Sequence, residues 1–357
     1  MTDEPTDQDL RRHPGRGPMD KVEESVDHAA IDDEITSRQE VSGFGTILRT
    51  QPFWVFVAII AIGLVMSFVS DAFMTERNMF NITRNMAFFG IMALGMSAVI
   101  CTAGIDLSVG SLLGLCAITL GLTLQAGWGV LPGFLVCMAT AAVVGLINGV
   151  LIAYLRLAPF VVTLGMLAMA RSIAMVLSDN KMIYEFGPQQ DLFEWIGGES
   201  VLGVPNVVWV LGILTAIFWW VWKFTSWGRW VIAIGGNAQA AKLSGIPVER
   251  MIVSVYVVCS MCTGVAAFMF IGYTGSATNG MGVTYELNVI AATVIGGANL
   301  MGGVVYALGA PIGAALVELI RNSLLLAGIP ALWQQFFVGL FLILAVLLEQ
   351  IRNRGGK

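Results

Sequence analysis

From Met86 to Ala126 the chain reads MAFFGIMALGMSAVICTAGIDLSVGSLLGLCAITLGLTLQA, and Asp106 is the one charged residue in it. Two apolar runs flank a Gly-containing break, and each is close to the roughly 20 residues that an α-helix needs to cross hydrocarbon. Neither run has a polar face to turn toward water, so the stretch reads as paired membrane helices interrupted around Gly104-Ile105-Asp106. The glycines also leave a re-entrant path open for this segment.

The rest of the chain has the same character: of 357 residues, 57% are hydrophobic and 12% charged. So few charges cannot cover a water-facing surface, which excludes a soluble globule. The fold class that follows is all-α, a polytopic transmembrane helical bundle of about ten spans with Gly-interrupted helices. The spans fall near 52–71, 86–103, 108–126, 129–155, 159–178, 206–223, 252–272, 287–301, 303–323 and 331–350. Residues 1–51 stand apart, with 12 Asp/Glu, 6 Lys/Arg and no apolar periodicity, and read as a disordered acidic tail. The membrane domain then covers 52–351, with a basic loop at 224–251, and 352–357 form a short C-terminal tail.

Orientation follows from the basic residues. Arg38 and Arg49 precede the first span, Lys223, Arg229, Lys242 and Arg250 crowd one loop, and Arg352, Arg354 and Lys357 end the chain. Six spans before that loop and four after it put all three segments on the cytoplasmic side. The loop at 179–205, with Lys181 against Asp179, Glu185, Asp191, Glu194 and Glu199, suits the outer face; Arg77 and Arg84 fall outside as exceptions.

There is no basic face for nucleic acid. The five cysteines all lie in apolar spans, and Cys259-x-x-Cys262 reads as helix packing. His13 and His28 both lie in the tail, which excludes a histidine metal site or general base in the membrane body.

The break in the opening stretch has an echo. Val99 to Gly110 reads VICTAGIDLSVG and Val294 to Gly303 reads VIGGANLMGG, and both hold G-x-[DN]-L-x-x-G after a Val-Ile pair. Asp106 and Asn299 occupy the same place in the two, 193 residues apart. Broken helices in corresponding halves of a transporter expose backbone and helix ends to a polar solute; the plainer alternative is that the glycines let helices approach closely. A carboxylate such as Asp106 costs roughly 2.5–3.5 kcal/mol to insert and needs a partner or a task. Arg171 is the expected partner, in an ion pair bracing the break, and direct contact with a solute is the alternative. Asp106, Ser108, Asn148, Asn299 and Gln334, with Phe89 as an aromatic platform, are the candidate pathway or gate residues. Such neutral amides and hydroxyls suit a polyhydroxylated solute, whose unpaired hydroxyls would otherwise be costly to desolvate. Thr163, Glu318 and Arg321 are further polar groups within the spans.

The basic loop carries a different signal. Gly235-Gly236-Asn237-Ala238-Gln239-Ala240-Ala241-Lys242-Leu243-Ser244-Gly245-Ile246-Pro247 predicts a short helix with Asn237 as N-cap, Gly245 as stop and Pro247 just beyond. Its alanines present a small flat surface, suited to a groove in a partner protein or, alternatively, to lipid headgroups. No phosphate-binding loop is present; GGNAQAAK lacks the second glycine and the following hydroxyl residue, so the chain is not expected to hydrolyse ATP.

GIDLSVGS at 104–111, GGNAQAAKLSGI at 235–246 and VIGGANLMGG at 294–303 together resemble the inner-membrane permeases of bacterial sugar ATP-binding-cassette (ABC) importers, in the ribose, xylose, arabinose and galactose branch. The similarity covers roughly residues 45–355. It implies a transport subunit, not an enzyme, forming the pathway for a pentose, hexose or related polyol in the inner membrane, with both termini cytoplasmic. It further implies a periplasmic sugar-binding protein that delivers the solute, a second copy of the chain and a separate ATPase subunit. ATP and Mg would sit on that ATPase, and this chain would bind no cofactor. Gln239-Ala240-Ala241 and Gly245 then stand in the permeases' E-A-A-x-x-x-G motif, whose helix fits a cleft of the ATPase, with Asn237 and Ser244 at its ends. Gln239 departs from that motif's Glu, and no I-x-L-P follows Gly245. An ion-coupled secondary sugar carrier is the alternative reading; it leaves the loop helix unexplained.

Overall fold

A computed structural model describes residues 50–330, 332–337, 339–340 and 343. The expected acidic tail, the C-terminal tail and most of the span at 331–350 lie outside the described residues.

Helix α1 (Gln51–Val69) opens with Pro52, whose fixed φ suits a first turn, and leaves Leu64, Val65 and Phe68 exposed along one side. Helix α2 (Glu76–Cys101) follows, capped by Thr75 and buried continuously from Ala87 to its end. At 26 residues it is roughly 39 Å long, enough to cross the bilayer and project beyond it. It starts ten residues before the expected span, because Glu76, Arg77, Arg84 and Asn85 hide a helical segment from a reading based on apolar runs.

After a break at 102–108 come α3 (Val109–Gln125), α4 (Val130–Ala153) and α5 (Pro159–Leu177). The segment that follows holds the short α6 (Gln190–Gly198) and a tight antiparallel pair, β1 (Ser200–Val201) and β2 (Val204–Pro205). Then come α7 (Asn206–Phe224), α8 (Ser226–Gly236), α9 (Ala238–Leu243) and α10 (Val248–Thr274). A second break, at 296–308, separates α11 (Tyr285–Ile295) from α12 (Gly309–Leu326). Helices α1, α2, α4, α5, α7, α10 and α12 are long and apolar enough to span a membrane, while α3 and α11 are shorter. The expected spans at 287–301 and 303–323 are thus cut back to α11 and α12, because the glycines around Asn299 end one helix before the next begins.

The chain is a polytopic helical membrane protein, and its packing has the corresponding polarity. Helices α2 and α10 run through the middle, against each other and against α4, α12 and α3. The exposed surfaces of α1, α4, α5 and α7 are lined with Trp, Leu, Ile and Phe, which lipid tails can solvate. Where α4 meets α10 the fit depends on Gly145 and Gly149. A Cβ at Gly149 would lie 2.7 Å from Val253 Cα, and one at Gly145 would lie 2.7 Å from the Tyr256 carbonyl oxygen. These glycines, four residues apart, let the two backbones touch. Cys259 and Cys262 pack in the same way on Gly95, where a Cβ would sit 2.7 Å from Cys259 Cα.

Candidate pathway and coupling site

Both echoed motifs form the same local structure. Asp106 Oδ1 accepts hydrogen bonds from the Ser108 backbone N–H at 2.8 Å and from Ser108 Oγ at 2.6 Å. Asn299 Oδ1 accepts from the Met301 N–H at 2.7 Å, again two residues on. Each is an Asx-turn, a side chain replacing the backbone partner that an ended helix lacks. Asp106 and Asn299 occupy one place because both breaks need a short side-chain acceptor there.

The first break lies inside the bundle. Asn148 Nδ2 donates to Ser108 Oγ at 3.1 Å, and Thr163 Oγ1 donates to the Ile105 carbonyl at 3.2 Å. Asn148 is five residues from the end of α4, so the start of α3 is set roughly 8 Å in from that end. Asp106, Ser108, Asn148 and Thr163 are all fully buried. Asp106 Oδ2, Asn148 Oδ1, Tyr256 Oη and Ser260 Oγ are also buried, and none has a hydrogen-bond partner among the described residues. Polar atoms left unpaired at this depth hold a conformation less firmly than a fully paired network does.

The expected Asp106–Arg171 ion pair does not form. Arg171 instead donates to the carbonyls of Asn279 and, at 2.8 Å, Met281, fastening α5 to the segment between α10 and α11; Glu286 is the carboxylate that acts on it electrostatically. The backbone reaches Arg171 first: residues 275–284 dip into the bundle until Gly282 lies against Gly110, where either glycine's Cβ would collide with the other segment.

Phe89 belongs to a separate layer. It is buried against the Tyr285 ring at 4.8 Å between centroids, with the Arg321 guanidinium 5.4 Å from its face. Glu318 accepts from Asn85 Nδ2 at 3.0 Å and pairs with Arg321 at 3.3 Å, and Asn78 and Asn322 exchange amide hydrogen bonds. This ladder joins α2 to α12. Asn78 and Asn85 were not legible as members because they precede the apolar run, although their spacing of seven residues puts them on one helical face. Gln334 is half-buried, and no contact joins it to these groups among the described residues.

Helix α9 carries the second site. Asn237 Oδ1 accepts from the Ala240 N–H at 2.9 Å and caps it; Ser244 Oγ donates to the Ala240 carbonyl at 3.0 Å. Gly245, at φ +83°, ends the helix in the left-handed region, where the Ile246 N–H reaches back to the Ala241 carbonyl at 3.1 Å. Ala241 is buried against the bundle, and Lys242 pairs with Glu249 on the first turn of α10. Gln239 and Ala240 face out, as does Leu243, which is 86% exposed. Leu243 was not among the expected residues; a leucine beside Lys242 and Ser244 in a basic loop was the available signal.

Between α9 and the two breaks lies a backbone junction. The Gly303 N–H donates to the carbonyl of Cys101, the last residue of α2, at 2.9 Å. Gly235, near the end of α8, sits so close to both groups that a Cβ would overlap the Cys101 oxygen and the Gly303 nitrogen. Three chain segments therefore meet through backbone atoms, two residues from the Asn237 cap. Among the described residues no three His, Cys, Asp or Glu side chains gather as a metal site.

Residues 78–346 match the family model described as branched-chain amino acid transport system / permease component. Over 294 residues the chain is 35% identical to the ribose import permease of Escherichia coli strain K12, covering 82% of this chain and 92% of that one. It is 32% identical over 302 residues to the fructose import permease of Rhizobium meliloti, covering 82% of each chain. It is 31% identical over 320 residues to the galactose/methyl galactoside import permease of E. coli K12, covering 84% of this chain and 94% of that one. No solved structure matches the chain.

Proposed function

The chain belongs to the family of branched-chain amino acid transport system permease components, and on that premise we infer that it is the membrane-spanning permease subunit of an ABC importer for a monosaccharide. The family's description names branched-chain amino acids, and the sugar assignment comes instead from relatives that cover most of the chain. The chain is a transport subunit, not an enzyme. It works with a separate ATPase subunit and with a periplasmic binding protein that delivers the solute. ATP and Mg are assigned to the ATPase, and two copies of this chain to one pathway. The membrane is the bacterial inner membrane, with both termini, the basic loop and α9 in the cytoplasm.

The observation that carries this reading is the junction of Cys101, Gly235 and Gly303. Helix α9 offers Gln239, Ala240 and Leu243 to a partner, while its root is wedged against the ends of both broken elements. Displacing α9 must move the segments holding Asp106 and Asn299, because backbone in van der Waals contact cannot yield as a flexible side chain would. ATP-driven movement of the partner is thereby passed to the gate. Asp106, Ser108 and Asn148 act as gate elements rather than open ligands, since all three are sealed in this conformation. Selection among sugars rests largely with the binding protein, so the pathway needs only transient neutral contacts.

The test is purification from native membranes in mild detergent, followed by reconstitution with the co-purifying ATPase and binding protein. ATP-dependent uptake of radiolabelled D-ribose, D-fructose or D-galactose is expected. Uptake driven by an ion gradient without ATP or an ATPase would overturn the importer reading in favour of a secondary carrier.

A further inference from the structure

The surface recesses between α4 and α5, beside α6 and α7, and between α7 and α10 are lined almost wholly by Leu, Val, Ile, Met, Phe and Trp, as lipid-facing grooves are. One recess differs. It has a volume of ≈ 560 Å³ and is lined by Glu76, Arg77, Phe80, Asn81 and Arg84 of α2 and by Tyr273 near the end of α10. It opens at the end of the bundle where 179–205 packs on the last turns of α10, through Ile183 and Ala277 and through Gly197 and Gly272.

Arg77 and Arg84, the exceptions to the asymmetry of basic residues, thus line one polar recess. The Arg84 guanidinium lies between two aromatic faces, 4.5 Å from the Phe80 centroid and 4.2 Å from that of Tyr273. Its Nε is buried without a hydrogen-bond partner. The side chains of Glu76, Arg77, Asn81 and Arg84 make no hydrogen bond or ion pair to one another or to any other described residue. Two neighbouring amides on α2 do pair, Asn78 with Asn322 and Asn85 with Glu318. Donors and an acceptor are therefore held open together in one recess.

We propose that this recess is the receiving site for the sugar at the mouth of the pathway, a binding site for a neutral polyhydroxylated ring. Two guanidinium groups and an amide supply N–H donors for hydroxyl oxygens and Glu76 accepts from a hydroxyl, while the Phe80 and Tyr273 rings hold the Arg84 guanidinium in place. Glu76 offsets one of the two guanidinium charges and adds an acceptor to the donors, the mixed set that a hydroxyl, which both donates and accepts, requires. From the recess the Tyr273 ring leads inward to Phe88 at 6.1 Å, Phe88 to Phe270 at 5.0 Å, and Phe270 to Tyr285 at 6.2 Å, beside Phe89. The cavity stands at the head of the aromatic layer at which α2, α10 and α11 meet.

This assignment rests on the importer reading, and the experiment separates the two. Proteoliposomes holding the chain, its ATPase and its binding protein are given tritiated D-ribose, D-fructose and D-galactose, using the unaltered chain, Arg84→Gln and Asn81→Ala. Each substitution removes donors from the ligand without breaking a hydrogen bond within the protein. Uptake is expected to fall about tenfold, with binding-protein association and ATP hydrolysis stimulated by loaded binding protein held within about twofold. Uptake within about twofold of the unaltered chain for both variants would overturn the proposal. So would loss of binding-protein association in step with uptake, which would make the recess a protein-docking surface. Should Arg84→Gln fail to accumulate, Asn81→Ala decides alone, because its side chain has no structural partner. An unaltered chain that carries sugar under an ion gradient without ATP or the ATPase would instead defeat the importer reading itself.

Discussion

Asp106 is a buried carboxylate whose visible work is local: one oxygen satisfies the Ser108 N–H and hydroxyl, and through Ser108 it reaches Asn148. Asparagine keeps an acceptor in the same place, as Asn299 does in the second break. Asp106→Asn should therefore accumulate in the membrane near the normal level. Asp106→Ala strands the Ser108 N–H in the interior and should cost about 1–3 kcal/mol, read as an earlier thermal transition of the purified chain in detergent. Asp106→Asn melting as early as Asp106→Ala would mean that the charge itself is what the fold requires. Glu318 differs, since it joins two helices through Asn85 and Arg321, so Glu318→Leu should loosen α2 from α12 and leave both partners unpaired.

At the scale of elements, α9 and the α4–α10 pair depend on glycine for different reasons. Gly245 is needed for its φ of +83°, which ends α9 and turns the chain into α10. Gly245→Val should cost roughly 1–2 kcal/mol of local strain, leave the spans inserted, and uncouple ATP hydrolysis from sugar uptake. Normal uptake in that variant would remove α9 from the coupling path. Leu243→Asp keeps the helix but changes its outer face, and should weaken retention of the ATPase by about tenfold or more in a pull-down. Gly149 is needed for the absence of a side chain. Gly149→Val drives a Cβ toward Val253 Cα and should destabilise the bundle by about 1–3 kcal/mol, seen as an earlier melting transition.

The whole molecule joins these elements at the Cys101–Gly235–Gly303 junction. Gly235→Ala cannot fit without moving the end of α2 or the turn at 302–303, yet it leaves the outer face of α9 unchanged. The expected outcome is an assembled complex that hydrolyses ATP and carries little sugar; intact uptake would show that motion reaches the gate by another route. Orientation is open to a direct check, because all five native cysteines are buried. With a membrane-impermeant maleimide, Glu199→Cys should label from outside intact cells and Gln239→Cys only after permeabilisation. The reverse pattern would invert the assignment of sides.

The fold class was legible in the sequence because a lipid-solvated helix must be apolar over a fixed length, and that constraint appears one residue at a time from Pro52 to Leu326. The caps of α9 were legible for a similar reason: Asn237 and Gly245 act within four residues of themselves. The echo of Asp106 and Asn299 was visible as a pattern, and the Asx-turn behind it is local chemistry too. Partners brought together from distant parts of the chain were not legible. Asp106 and Arg171 looked like a pair on charge alone, but the dip of residues 275–284 gave Arg171 backbone carbonyls and left Asp106 to Ser108. No local signal placed Tyr273 beside Arg84, Asn85 beside Glu318, or Gly235 between Cys101 and Gly303. Composition and period act along the chain and are written in it, whereas pairing across helices depends on crossing positions that only the packed bundle decides.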